Sequence, residues 1–311
     1  MSQESKETDI PQSTTTSFNF TTGSAFNVLK ESFTPGFWKP VAALFLQSKK
    51  HFIKPAAMLM AGPCVIMAGF YFGSLGMGDG VQDLIAVMLR YLVCFTIGSL
   101  TGTVLIVWSI SDWLVKLTAF CRSYQNGQTL EESLDYLKTR KGFLFVTWFL
   151  YGILMTPFIL ILIAGSAISL MQSSIIPQPL ELPDYIKIVA DTASLVGLIF
   201  TTMYGALLIA VSGVSNGKGS SAAIQAFVGS FKTFIPLLVY SILANIIYCV
   251  TMELVFTVVS IRMSTQAYAP GMWEMVYIIF GSSFLRGIAS FFVLPFLIAV
   301  PAEITKRAIK N

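Results

Sequence analysis

The run from Leu84 to Ile110, LIAVMLRYLVCFTIGSLTGTVLIVWSI, holds a single charge, Arg90, in 27 residues. A bilayer core of about 30 Å is crossed by roughly 20 apolar residues in a helix, so this run predicts a transmembrane helix with length to spare for tilt. Five further runs read the same way: Pro55 to Leu75, Phe143 to Met171, Ile188 to Gly213, Phe234 to Ile261 and Trp273 to Val300. Hydrocarbon offers no water to backbone N–H and C=O groups, so each run is expected to close its hydrogen bonds within itself. The fold class that follows is an all-α integral membrane protein with six transmembrane helices.

Composition agrees with that reading. Of 311 residues, 55% are hydrophobic and 12% charged, against about 25% charged in an ordinary soluble domain. The reactive inventory is one histidine, His51, and four cysteines, Cys64, Cys94, Cys121 and Cys249, at unrelated spacings. Zinc hydrolases, haem proteins, histidine-dependent lipid phosphatases and Ser-His peptidases draw on several histidines or clustered cysteines, and are disfavoured. The sequence contains no nucleotide loop or dinucleotide fingerprint. The chain is therefore expected to have no enzymatic activity, cofactor or metal.

Residues 1–22 are rich in Ser, Thr, Glu and Lys and lack the apolar stretch of a cleavable signal. They are expected to form a disordered cytoplasmic tail, followed by a membrane domain over 23–306 and a short tail over 307–311. Of the 20 basic residues, sixteen fall on the side that holds both termini and the connections between spans two and three and between spans four and five. Only Lys187 and Arg262 fall opposite, and Arg90 and Arg286 lie within spans. The positive-inside rule then predicts cytoplasmic termini, in a plasma membrane of bacterial inner-membrane type. Topology and anionic lipid account for the basic face, so nucleic acid is not an expected partner.

Three spans end alike: Leu105-Ile106-Val107-Trp108-Ser109, Leu208-Ile209-Ala210-Val211-Ser212 and Leu297-Ile298-Ala299-Val300-Pro301. After the first two come Asn126-Gly127-Gln128 and Asn216-Gly217-Lys218, each a turn signal opening a lead-in segment. Thr129 and Glu132 make a capping box for one of these. The lead-ins are amphipathic, with Ala25, Phe26, Leu29 and Phe33 on one face of the first. Leu130, Leu134 and Leu137 mark the second, and Ile224, Phe227, Val228, Phe231 and Ile235 the third. Such helices lie either on the membrane surface or against the bundle. The pattern reads as three pseudo-repeats, each an interfacial amphipathic helix followed by a transmembrane hairpin.

The passages Leu130 to Tyr151 and Ala222 to Tyr240, with basic residues before each apolar run, carry a family resemblance. The chain resembles the six-helix membrane domains of prokaryotic proteins, as in the membrane part attached to some glycerophosphodiester phosphodiesterases. That resemblance implies a six-helix fold and brings no catalytic residues, because the soluble catalytic domain of those enzymes has no counterpart here. Mitochondrial carriers also combine six spans with three repeats, but their Pro-x-Asp/Glu-x-x-Lys/Arg signature is absent. Gly76-Met77-Gly78-Asp79 matches the motif of intramembrane aspartyl proteases, yet it falls in a short glycine-rich connection that a tight turn explains.

Four charges inside the spans are the candidate site: Arg90, Asp191, Glu253 and Arg286. Each costs at least about 2.5 kcal/mol at the bilayer centre, so each calls for a partner or a purpose. Counting the helical rise puts Arg90 and Asp191 at similar depth, and Glu253 near Arg286 on consecutive antiparallel helices. A Glu253/Arg286 pair serves either as part of a solute path or as buried polar glue, with Arg90 and Asp191 snorkelling outward. Gly165, Ser166, Ala167, Ser194, Gly197 and Gly205 are expected to let the third and fourth spans approach closely. The expected role is an accessory or scaffold subunit that binds other membrane proteins in a homo- or hetero-oligomer, or organises lipid. A transporter or channel subunit is the alternative, and a lipid-processing enzyme the third reading.

Overall fold

The computed structural model describes residues 16–74, 84–171, 184–264 and 272–309, with 74, 84, 166–171, 184, 187, 249, 251–264, 272–280 and 282 described by their backbone alone. Asp79 and the rest of the Gly-x-Gly-Asp motif lie outside the described residues. Every long apolar run is helical, as backbone groups in hydrocarbon require. The order is α1 (Thr22–Glu31), α2 (Pro35–Ser74), α3 (Leu84–Asn126), α4 (Leu130–Thr139), α5 (Lys141–Met171), α6 (Asp184–Val214), α7 (Gly219–Lys232), α8 (Phe234–Ser264), α9 (Met272–Leu297) and α10 (Ala299–Ala308). Among the described residues, β pairing is limited to an isolated bridge, Phe18 to Ile309. Among the described residues, five helices are long and apolar enough to cross a membrane, and the count reaches six if α7 and the start of α8, bent by 94°, form one broken span.

The helices overrun the apolar runs at their basic ends. α2 has 40 residues and α3 has 43, about 60 Å each and twice the hydrocarbon thickness. Apolarity marks only the part of a helix that lipid surrounds, and α2 stays helical through Lys49, Lys50 and Lys54. Pro40, Pro55 and Pro63 lie inside α2, Pro157 inside α5 and Pro295 inside α9. Pro236 sits in the first turn of α8, where its missing N–H has no intrahelical partner to lose.

Close approach builds the hairpins. A Cβ on Gly69 of α2 would stand 2.6 Å from the Cys94 carbonyl oxygen and 2.7 Å from Gly98 Cα of α3. Backbone therefore lies against backbone, the arrangement that glycine permits between membrane helices. In the α5/α6 hairpin a Cβ on Gly197 would come within 2.7 Å of the Phe158 carbonyl oxygen. α2 also packs on α9, while α6 touches α3, α5, α7, α8 and α10 and is the central helix.

The short helices gather at one end, where burial is deepest. Leu130 and Leu137 of α4 are buried, so that stripe packs on the bundle. In α7 the stripe Ile224, Val228 and Phe231 is about half exposed, and Ala222, Ala223, Ala226 and Gly229 face the protein instead. α1 divides the same way, with Ala25, Val28 and Leu29 buried and Phe26 exposed. Phe33 lies just past the end of α1. The first and last described segments meet at this end, where Asn19 N–H donates to the Ala308 carbonyl at 2.7 Å.

Candidate functional site

At the end where the short helices gather, polar side chains close the bundle. α6 stops at Val214, leaving its last carbonyls without intrahelical donors. Arg122 of α3 donates to the Gly213 carbonyl at 3.0 Å, and Arg140 donates to the Ser215 and Gly217 carbonyls at 2.7 Å each. Tyr136 lies between the two arginines, with the Arg122 guanidinium 3.6 Å from its ring centre and the Arg140 guanidinium donating to its hydroxyl at 2.7 Å. Cations at a helix C-terminus and over an aromatic face are favourable placements. Gln125 Nε2 donates to the Ala210 and Ala302 carbonyls, joining α3 to α6 and α10. The Thr129/Glu132 capping box is formed at the start of α4. A hydrogen bond from Lys50 at 2.8 Å holds the Glu131 carboxyl below its usual range and ties α2 to α4.

Beneath that closure lies a cleft of about 470 Å³. Ile110, Leu114 and Leu117 of α3 form one wall, and Trp148 and Tyr151 of α5 the facing one. α6 supplies the floor from Thr201 to Ile209, while Tyr240 and Ala244 of α8, Leu294 and Leu297 of α9, and Ile298, the cap before α10, complete it. The lining is hydrocarbon and aromatic, and its hydroxyls are already committed. Tyr151 donates to the Thr201 carbonyl at 3.1 Å and Tyr240 to the Leu297 carbonyl at 2.5 Å. Thr201 and Thr202 donate to the carbonyls of Gly197 and Leu198.

Of the four charges singled out from the sequence, Arg90, Asp191 and Arg286 do not line this cleft. Arg90 and Asp191 are exposed on α3 and α6, each within the first third of its helix and so toward the end opposite the short helices. Arg286 is exposed on α9, between the buried Ser283 and Ser290. The side chain of Glu253 lies outside the described residues, so its pairing with Arg286 does too. Cys64, Cys94 and Cys121 are free thiols, and among the described residues no three His, Cys, Asp or Glu side chains converge on one point.

The cleft has no signature in the sequence, because its residues come from five separate helices and no local motif joins them. The close α2/α3 contact has one, Gly98-x-x-x-Gly102 in an apolar run, a spacing that lets membrane helices approach. Compared with family models, curated proteins and solved structures, the chain matches none.

Proposed function

We propose that the chain is a six-span membrane protein of three elbow-plus-hairpin units, without catalytic activity, acting as an accessory or scaffold subunit. Its termini face the cytoplasm of a bacterial cell, where the sixteen basic residues gather. The observation that carries the reading is the uncovered apolar surface of α3 and α5. Leu89, Leu92, Leu100 and Val107 of α3 and Phe145, Phe149, Ile153 and Leu160 of α5 are all more than half exposed. A surface of that size is met by lipid and by the helices of other membrane proteins. The gathered, tightly packed end holds the helices in place while those faces stay available.

Gentle extraction followed by identification of co-purifying chains tests this. Defined partners are expected, and an isolated monomer overturns the reading. Arg286 favours the second reading, a transporter or channel subunit, because it shares a helical stripe with the cleft residues Leu294 and Leu297. A double variant, Glu253→Met with Arg286→Leu, separates the two. A scaffold retains its partners with both charges gone, whereas a transporter loses solute flux.

A further inference from the structure

We propose that the cleft between α3, α5 and α6 holds one acyl chain of an anionic membrane phospholipid. This rests on the membrane reading above and adds a specific ligand to it. Position is the first argument. Ile110, Leu114, Tyr151 and Leu294 lie in or directly beside the apolar runs, so the nearest material outside the cleft is hydrocarbon. α3 and α5 do not pack together along their length, and Ile110 between them is 48% exposed, giving the cleft a mouth toward lipid.

Chemistry is the second argument. A polar solute entering the cleft would exchange its hydration for a lining poor in free donors, since the hydroxyl protons of Tyr151, Tyr240, Thr201 and Thr202 are already given to backbone carbonyls. Such a site stays dry and accepts hydrocarbon. Its 470 Å³ falls within the range of about 300–1,000 Å³ that takes one small ligand.

Closure and charge select a phospholipid chain. Toward the short helices the cleft is blind, because Leu117, Ile209 and Ile298 are buried there and Gln125 bridges α6 to α10 behind them. A blind pocket suits a tail inserted from the side and gives no route through. Exposed Lys141 begins α5, two turns before the cleft residue Trp148 on the same helical stripe, about 10 Å along the helix. It stands where the phosphate of a lipid whose tail occupies the cleft would lie, and anionic headgroups gather at such cations.

The test uses the full chain in nanodiscs of phosphatidylglycerol and phosphatidylethanolamine. A fraction of the phosphatidylglycerol carries a diazirine near the end of one acyl chain. After illumination, peptides containing Leu114, Thr202, Ala206 and Leu294 are expected to carry label beside those of the outward faces. Ala206→Phe fills the cleft from α6 and Ala244→Leu from α8. Either, once shown to be helical and monodisperse, is expected to lower cleft labelling at least fivefold and leave labelling at Phe149 and Ile153 unchanged. Cleft peptides without label in the wild type overturn the proposal, whatever the variants do. Undiminished labelling in a folded variant also overturns it, as does labelling by a diazirine fatty acid but not by the phospholipid. Cleft residues crosslinked to another protein chain overturn it in favour of a partner helix. Loss of the lipid result leaves co-purification of partners untouched, so the two readings fail separately.

Discussion

Arg140 shows how much structure one side chain can carry. Its guanidinium serves the Ser215 and Gly217 carbonyls and the Tyr136 hydroxyl, and stacks 4.2 Å from the Phe143 ring centre. Hydrogen bonds from a charged donor contribute about 1.5–3 kcal/mol each. Arg140→Gln is expected to lower stability by roughly 2 kcal/mol, read as a fall in the unfolding midpoint in mild detergent. Arg140→Lys should recover only part, because an ammonium lacks the planar fork that reaches two carbonyls at once. In the sequence Arg140 is legible only as a topology signal. Its partners lie 75 and 77 residues away, and the Asn216-Gly217 turn gives no hint of which cation will meet it.

Glycine has opposite consequences in two of the long helices. At Gly98 an added Cβ would meet Gly69 Cα at 2.7 Å, whereas at Gly152 of α5 nothing lies within 4 Å. Gly98→Ala is therefore expected to push α2 from α3 and destabilise by about 1–3 kcal/mol. Gly152→Ala should stabilise by about 0.5–1 kcal/mol, since it only removes backbone freedom. Paired unfolding curves in one detergent decide the matter; equal shifts would contradict the close approach. At this scale the sequence is informative: each apolar run is helical where it is described, the last divided between α9 and α10 at Ile298, and the capping box opens α4. The helix ends are less legible, because α2 and α3 continue as helices through Lys-bearing segments that hydropathy does not mark. The facing of α7 is also hidden. Its large apolar residues suggest the packed side, yet its small residues allow the closer contact and take that side.

Across the whole molecule, the first and last helices are held together by charge. Arg307 of α10 pairs with Glu31 at the end of α1, at 3.1 and 2.5 Å, and with Glu303 at 3.0 Å. The hydrogen bond from Arg307 holds the Glu31 carboxyl below its ordinary value of 4.5. A depressed carboxyl stabilises the folded state above its unfolded value, and that contribution is lost as pH falls through the folded value. Acidification below about pH 4.5 should loosen α1 from α10, with faster hydrogen exchange over Asn19 to Glu31 after correction for intrinsic rates. Glu31→Gln should show the faster exchange at neutral pH and no further response to acid. In the sequence reading, six spans put both termini on one side and the charge count says which side that is. Their contact leaves no trace there, because residues from opposite ends of the chain share no pattern that spacing reveals.

That meeting makes the stretch from Phe18 to Ile309 nearly a closed loop. With Phe18 bridged to Ile309, a short Gly/Ser linker from 309 to 18 would join them without stretching either. The exposed Asn126-Gly127-Gln128 turn is a suitable place to cut, since exposed turns tolerate new termini. The circular permutant opened there should insert and fold with the parent's unfolding midpoint. It would start at the second elbow, so the order in which the hairpins leave the ribosome is incidental to the final arrangement.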